Sequence, residues 1–207
     1  MPVDFRDVLA PSHTAVLTME MQRGVCGDLA TALPNLAEEV AATGVIKNVA
    51  KLCDAAREVG VRVVHCTAEF RPDRAGSASN APLLRMAARE TGHMAIGSGA
   101  AEVIPEIGPD PRDLVLPRMA GMSPFTGTNV DITLRNLGIR TVVATGVSLN
   151  VALVGLVISA VDLGYTVVVA TDVAAGVPHE YGQAVLRNTL AMLANLMTSD
   201  EIIGHWT

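Results

Sequence analysis

Charged residues follow two of the apolar runs in the sequence. Glu20 comes directly after the run TAVLTM, and Arg118 comes directly after LVLP. A carboxylate can exchange a proton with water, and the planar guanidinium of arginine pairs well with carboxylate groups. A third junction, GVSLNVA, continues into a helical stretch that contains almost no polar side chain. Whether these types of residue can act together depends on the elements that carry them.

Short β-branched apolar runs alternate with segments of helical periodicity along the chain. The runs predict strands at residues 14–19, 62–66, 114–117, 141–144 and 166–170, and the periodic segments predict helices at 33–59, 129–137, 151–163 and 180–196. This alternation predicts an α/β fold with a Rossmann-like parallel sheet covered by helices on both faces. Ligands bind beyond the carboxyl ends of the strands in such sheets. The loops of interest are therefore 20–28, 67–73, 118–128, 145–150 and 172–179.

Composition limits the class of protein. The chain has 207 residues, of which 50% are hydrophobic and 17% are charged, and we expect one folded domain over residues 1–207. The net charge is −6 and basic residues form no run, so nucleic acid and anionic membranes are not expected partners. The first residues lack the pattern of a signal peptide, and a cytoplasmic location is expected.

Cysteine and histidine spacing gives no support for a metal site or another cofactor. Cys26, Cys53 and Cys66 are widely spaced and lack a CxxC pair, so they are interpreted as free thiols. The five histidines occur singly and match no zinc-binding spacing. We expect neither a metal ion nor a cofactor.

Four separated motifs resemble those of the isochorismatase-like, or cysteine hydrolase, family. They are Glu20-Met21-Gln22 after the first strand, LVLPRMAGMSPFTGT around the third, GVSLNVA after the fourth, and GYTVVVATD around the fifth. They occur in the family's order and spacing, from residue 14 to about 203. The resemblance implies the family's fold, a small-molecule substrate and hydrolase activity.

The positions of the family's Asp-Lys-Cys triad are all altered in this sequence. The resemblance places Glu20 at the Asp position, Arg118 at the Lys position and Ala152 at the position of the nucleophilic Cys. Alanine has no nucleophile, so an acyl-enzyme route through residue 152 is excluded. The only lysines, Lys47 and Lys51, lie on the first long predicted helix, away from the carboxyl edge of the sheet.

Three hypotheses fit this altered triad. In the first, the chain is a hydrolase without a cysteine nucleophile. Glu20 handles a proton or water, and Arg118 anchors an anionic or carbonyl group of a small, largely apolar molecule. An arginine against Glu20 would favour its carboxylate form, which suits water activation. In the second, Cys26 or Cys66 acts as a relocated nucleophile. In the third, the chain is a non-catalytic pseudoenzyme that binds a ligand or serves as a scaffold.

Other residues near these loops are candidates for substrate binding. The resemblance implies that the backbone at Val147 and Ser148 binds an oxyanion, although Ser148 and Asn150 also suit helix N-caps. The remaining candidates are Gln22, Met119 and Phe125, which belong to the motifs or lie beside them.

Residues 70–99 have no clean period, and they are interpreted as a lid or an interface excursion. Family members are commonly dimers or tetramers, and the apolar helix at 151–161 must be covered on most sides. We therefore expect a homodimer or a homotetramer.

Overall fold

The core of the protein is a six-stranded parallel sheet with the strand order β3-β2-β1-β4-β5-β6. The computed structural model describes residues 3–89 and 92–207. The strands are β1 Thr14–Met19, β2 Arg62–Ala68, β3 Leu114–Arg118, β4 Thr141–Val147, β5 Thr166–Ala175 and β6 Asn195–Met197. The predicted α/β class and the parallel sheet are thus confirmed.

Helices cover both faces of the sheet. They are α1 Phe5–Val8, α2 Arg23–Cys26, α3 Pro34–Thr43, α4 Val45–Glu58, α5 Pro82–Ala87, α6 Val130–Asn136, α7 Ala152–Asp162, α8 His179–Asn188 and α9 Ser199–Trp206. Side chains alternate between faces along each strand. Leu17 therefore packs with α6, α7 and α8 in one core cluster, while Val16 packs with α3, α4 and α9 in the other. None of the helices in the described ranges is long and apolar enough to cross a membrane.

Two predicted helices differ from the structure. The helix expected over residues 33–59 is two helices, because Gly44 adopts a left-handed conformation with φ 68° and ends α3. The helix expected over 180–196 ends at Asn188, and the chain then forms β6 at the sheet edge. This strand has only three residues, and its pairing with β5 overrides the helical pattern.

The strands β1 and β4 approach each other closely at the centre of the sheet, where the strand order reverses. Gly146 has φ 101°, and a Cβ atom at this position would lie 2.3 Å from the carbonyl oxygen of Met19. Only glycine fits this contact. Ligand crevices form beside such a reversal in open α/β sheets, beyond the carboxyl ends of the strands.

Candidate active site

A cleft of about 110 Å³ opens beyond the carboxyl ends of β1, β2 and β3. Its polar side chains are Glu20 after β1, Arg118 at the end of β3, and His93 from the excursion. The larger apolar side chains of its wall are Val25, Leu33, Phe70, Leu83, Leu84, Met94 and Met122. An ion-pairing group at the base of an apolar cleft is a common arrangement in small-molecule sites.

Glu20 occupies a conformation that few residues other than glycine adopt. Its φ is 51°, in the left-handed region, and its amide donates to the carbonyl oxygen of Cys66 at 2.9 Å. The side chain is 16% exposed, and its Oε1 accepts a hydrogen bond from Arg118 Nη2. Its second oxygen, Oε2, has no hydrogen-bond partner among the described residues. Such backbone outliers cluster at functional sites.

Two of the three guanidinium nitrogens of Arg118 donate hydrogen bonds to the protein. The side chain is 7% exposed; Nε donates to the carbonyl oxygen of Gly121 at 3.2 Å, and Nη2 donates to Glu20. The third nitrogen, Nη1, is buried and has no hydrogen-bond partner in the described structure. A buried donor without a partner is costly, so this nitrogen is available to an acceptor atom of a ligand.

Ala152 belongs to the core and not to the cleft. It is the first residue of α7 and is 4% exposed, and it packs in the same hydrophobic cluster as Leu149 and Leu153. Among the described residues that line the cleft, none is Ser, Thr, Cys or Lys. A covalent route through a hydroxyl, thiol or lysine amine of the cleft therefore has no residue to carry it among those described.

The junction between β4 and α7 contains a cis peptide bond that does not involve proline. The peptide bond between Val147 and Ser148 is cis, and Val147 is fully buried in the core. The N-cap of α7 is Val151, which makes no side-chain capping bond, so the N-cap interpretation of Ser148 and Asn150 is wrong. The Asn150 amide instead donates to the carbonyl oxygen of Val177 at 3.4 Å.

The other predicted substrate-binding residues do not line the cleft. Gln22 is fully buried, and its amide bonds the backbone of Ala68 and Ala101 at 2.7 to 2.9 Å. Phe125 packs on Tyr165 in the core, with ring centroids 5.9 Å apart, and Met119 is exposed to solvent. Gln22 therefore fastens the ends of the strands next to the cleft instead of facing into it.

The cysteines lie in positions that suppress their reactivity. Burial raises the pKa of Cys66 to about 12, and burial together with the nearby Glu20 charge raises the pKa of Cys26 to about 12. Neither thiol lines the cleft. The thiolate is the reactive form, so this placement argues against a relocated cysteine nucleophile.

His65 belongs to a separate buried network on the other side of β2. Its Nδ1 lies 2.8 Å from Thr18 Oγ1 and its Nε2 lies 3.0 Å from Asp113 Oδ2, and Arg57 also donates to Asp113. Burial lowers the pKa of His65 even though Asp113 acts in the opposite direction. With both ring nitrogens engaged inside the protein, His65 serves as a structural link between β1, β2 and the start of β3.

A second cavity, of about 130 Å³, lies beside the carboxyl end of β5. Its charged groups already have partners: Glu39 pairs with His179 at 2.6 Å, and Asp172 accepts two hydrogen bonds from Ser199. This cavity contains neither Glu20 nor Arg118. Within residues 3–89 and 92–207, no three His, Cys, Asp or Glu side chains are grouped so that they could hold a metal ion. The cleft with Glu20 and Arg118 is therefore the better candidate for an active site.

The sheet order and the cleft at its carboxyl edge agree with one family. The family model for the Isochorismatase domain matches residues 14–201, and the chain belongs to this family. It is 31% identical over 180 residues to a ureidoacrylate amidohydrolase, RutB, of Rhizobium rhizogenes. That match covers 79% of this chain and 71% of the relative.

Solved structures share the fold. An isochorismatase-like hydrolase from Alkaliphilus metalliredigens superposes with a TM-score of 0.76 at 24% identity, covering 94% of this chain and 99% of that one. The N-carbamoylsarcosine amidase from Thermoplasma acidophilum has a TM-score of 0.70 at 25% identity, with 91% and 97% covered. The chain is thus similar to hydrolases that act on small molecules.

Proposed function

We propose that the protein hydrolyses a small, largely apolar substrate without a cysteine nucleophile. Arg118 anchors an anionic or carbonyl oxygen, and Glu20 handles the proton of an attacking water. The observation that carries this proposal is Arg118 Nη1, a buried donor without a partner at the base of the cleft. An acceptor oxygen of a ligand would satisfy it.

Amide hydrolysis is the reaction class that the relatives support. Two of them are named for a ureidoacrylate and an N-carbamoylsarcosine, both small molecules with a carbonyl bonded to nitrogen. In the proposed reaction, Glu20 takes a proton from water as the oxygen bonds to the carbonyl carbon. Arg118 stabilises the charge that develops on the carbonyl oxygen. The carbon–nitrogen bond then breaks, and the amine leaves with the proton.

The unpartnered oxygen of Glu20 supports its role as the base. Oε1 is bound to Arg118, so Oε2 is the oxygen that could accept a proton from water. Both groups line the same cleft, so a water on Glu20 and an oxygen on Arg118 would lie side by side.

A ligand-binding protein without catalysis is the second candidate function. It is favoured by the absence of Ser, Thr, Cys and Lys among the described residues of the cleft wall, and by the burial of Ala152. The same Arg118 would then hold the ligand with no bond broken. The two candidates differ in whether Glu20 is needed for turnover.

A panel of small amides and N-carbamoyl acids, assayed for released ammonia, tests the proposal. We expect turnover of at least one class, a fall of about 100-fold or more in Glu20→Gln, and no change after alkylation of accessible thiols. Thermal unfolding of the variant provides the control for folding. Equal turnover in Glu20→Gln would overturn the proposed mechanism. Binding without turnover across the panel would support the second candidate.

We also propose that the chain forms a homodimer or a homotetramer. Helix α7 buries one face, but Ile158 is 43% exposed and Val161 is 38% exposed on the other face. Ile132 on the neighbouring α6 is also exposed. Light scattering in solution tests this, with Ile158→Lys expected to weaken assembly.

A further inference from the structure

The outer wall of the cleft is a closed loop of the chain. Residue 70 meets residues 94 to 96 at its neck, where Phe70 donates to Met94 at 2.8 Å and Ile96 donates to Phe70 at 2.9 Å. Residues 90 and 91 of the loop lie outside the described residues. The ends of this segment meet, so contacts between its own residues contribute to its shape.

Helix α5 lies in the apolar part of this loop, and one contact of the loop with the rest of the protein is made by His93 Nε2, 3.0 Å from the carbonyl oxygen of Gly24 in α2. Helix α5 carries Leu83 and Leu84 into the cleft, but it has six residues and none of them is fully buried. A helix of this length is not stable without tertiary contacts. The shape of the wall therefore depends on contacts made inside the loop as well as on this contact with α2.

Arg74 provides such contacts. Its guanidinium lies 4.3 Å from the centre of the Phe70 ring, and Nη2 donates to the carbonyl oxygens of Ala87 at 3.2 Å and His93 at 3.0 Å. Those three partners all line the cleft, whereas Arg74 itself does not. The side chain of Arg74, which does not line the cleft, thus contacts the neck, the end of α5 and residue 93 in the part of the loop that returns to the neck.

Arginine suits this position for geometric reasons. The planar guanidinium can stack on an aromatic ring while its nitrogens donate in the plane to two carbonyl groups. A lysine keeps the charge and can approach the ring, but it lacks the fork. Arg74 also has φ 54°, in the left-handed region that few residues other than glycine adopt.

We propose that Arg74 is a positioning residue that sets the specificity of the cleft. It fixes the apolar wall against which the hydrocarbon part of a ligand packs, while the polar end of the ligand meets Arg118. This inference rests on the proposed function in one respect, which is that a ligand oxygen binds at Arg118.

The dimensions of the cleft limit the ligand class. An enclosed apolar cavity of about 150 Å³ is large enough for benzene, and this cleft has about 110 Å³. Acids or amides with a short hydrocarbon chain therefore fit. Each buried methylene should improve binding by about fourfold, provided that the wall is in place.

Binding of acetate, pentanoate and pentanamide to the full chain tests the inference, with affinities from ligand-observed NMR titration. In the unmodified protein we expect pentanoate to bind about 50-fold more tightly than acetate. Arg74→Met should reduce this ratio by about fivefold or more and change the acetate affinity by less than about twofold. Arg74→Lys should restore part of the ratio. A destabilised but otherwise unaltered cleft would weaken both ligands equally.

Arg71→Met is the matched control. Arg71 lies three residues before Arg74 in the same loop, but its guanidinium pairs with the exposed Asp73 at 2.8 to 2.9 Å. The substitution therefore removes the same charge without touching the cleft wall. An equal loss of the chain-length effect in Arg71→Met and Arg74→Met would overturn the inference.

Amide hydrogen exchange separates failure of this inference from failure of the proposed function. Arg74→Met should increase exchange at Phe70 and Ile96, whose amides close the neck, and leave the β4 amides unchanged. Unchanged exchange at the neck would overturn the positioning role, whatever the ligands do. If exchange rises but none of the three probes binds the unmodified protein, the positioning of the wall stands and the anchoring role of Arg118 fails.

Discussion

Arg118 and Glu20 form an ion pair that reaches across an intervening strand. Glu20 follows β1 and Arg118 ends β3, while β2 lies between them in the sheet. Strands are spaced about 4.8 Å apart, so the two backbones are separated by roughly 10 Å. Two long side chains close this gap, and the pair forms over the carboxyl end of β2. The length of both residues is thus part of the geometry of the site.

Replacing Arg118 should weaken ligand binding more than it disturbs the fold. In Arg118→Gln the ligand loses a charge-assisted hydrogen bond, and we expect pentanoate affinity to fall about 10-fold to 100-fold. Glu20 also loses its partner, which should cost about 1–3 kcal/mol of unfolding free energy. NMR titration and urea unfolding measure the two effects. Arg187→Gln, an exposed change on α8, is the control, and equal affinities in the two variants would contradict the anchoring role.

Glu20 and Arg118 could be predicted as a pair because the resemblance places them at two triad positions, at the ends of two apolar runs. A parallel sheet brings such strand ends to one edge, so Glu20 and Arg118 could be predicted to lie near each other. The order and spacing of the motifs also predicted the family. The fold and the site loops needed only local patterns and the rule that ligands bind beyond strand ends, whereas the choice of residues needed the resemblance.

The wall of the cleft could not be predicted in the same way. Phe70, Leu83, Leu84 and His93 lie in a segment without periodicity, and only the closure of the loop brings them to Glu20. Gln22, Phe125 and Met119 were chosen from motif position, which does not report the direction of a side chain. Strand β6 was missed because three residues give no periodic signal. In each case the position of the residue depends on contacts between segments that are distant in the sequence, which local patterns do not report.

Restoring a cysteine at position 152 should not restore a reactive nucleophile. In Ala152→Cys the new thiol enters a site that is 4% exposed, and neither lysine can assist it because both lie on α4. We expect its alkylation by iodoacetamide at neutral pH to be as slow as that of the native cysteines, and overpacking to cost about 1–3 kcal/mol. Labelling in urea provides the control that all thiols can react. Rapid labelling of the folded variant would show that position 152 is open to the cleft.

The buried His65 should make the fold sensitive to mild acid. Burial lowers the pKa of His65 in the folded state below its ordinary value of 6.5, while Thr18, Asp113 and Arg57 face the ring. As the pH falls below that value, the unfolded chain therefore binds a proton that the folded protein does not. Stability should decline as the pH falls, by at most about 1.4 kcal/mol per pH unit for this one proton.

Asp113 affects the pH dependence of stability in a lower pH range than His65 does. Burial raises its pKa, but hydrogen bonds from Arg57, the Asp110 amide and His65 outweigh this, and the pKa is lowered from 3.8. The stabilisation that ionised Asp113 provides is present above that value and is lost as the pH falls through the folded-state pKa.

Urea unfolding between pH 7 and pH 5 should isolate the contribution of His65 to the pH dependence of stability. We expect His65→Gln to flatten the slope there, and the exposed His205→Gln to leave it unchanged; equal slopes in all three proteins would contradict this assignment.

Gly146, the one glycine within the six strands of the described sheet, should not tolerate a side chain. In Gly146→Ala the new methyl would lie 2.3 Å from the Met19 carbonyl oxygen, on a residue with φ 101°. The three nearest atoms are all backbone atoms of Met19, which cannot rotate away as a side chain could, so we expect a loss of more than about 3 kcal/mol or failure to fold. Gly155→Ala is the matched control, because its methyl would meet Ser123 at an ordinary 3.7 Å. Alanine inside a helix should stabilise α7 by up to about 1 kcal/mol. Thermal and urea unfolding of the two variants compare them directly, and similar stabilities would refute the close contact between β1 and β4.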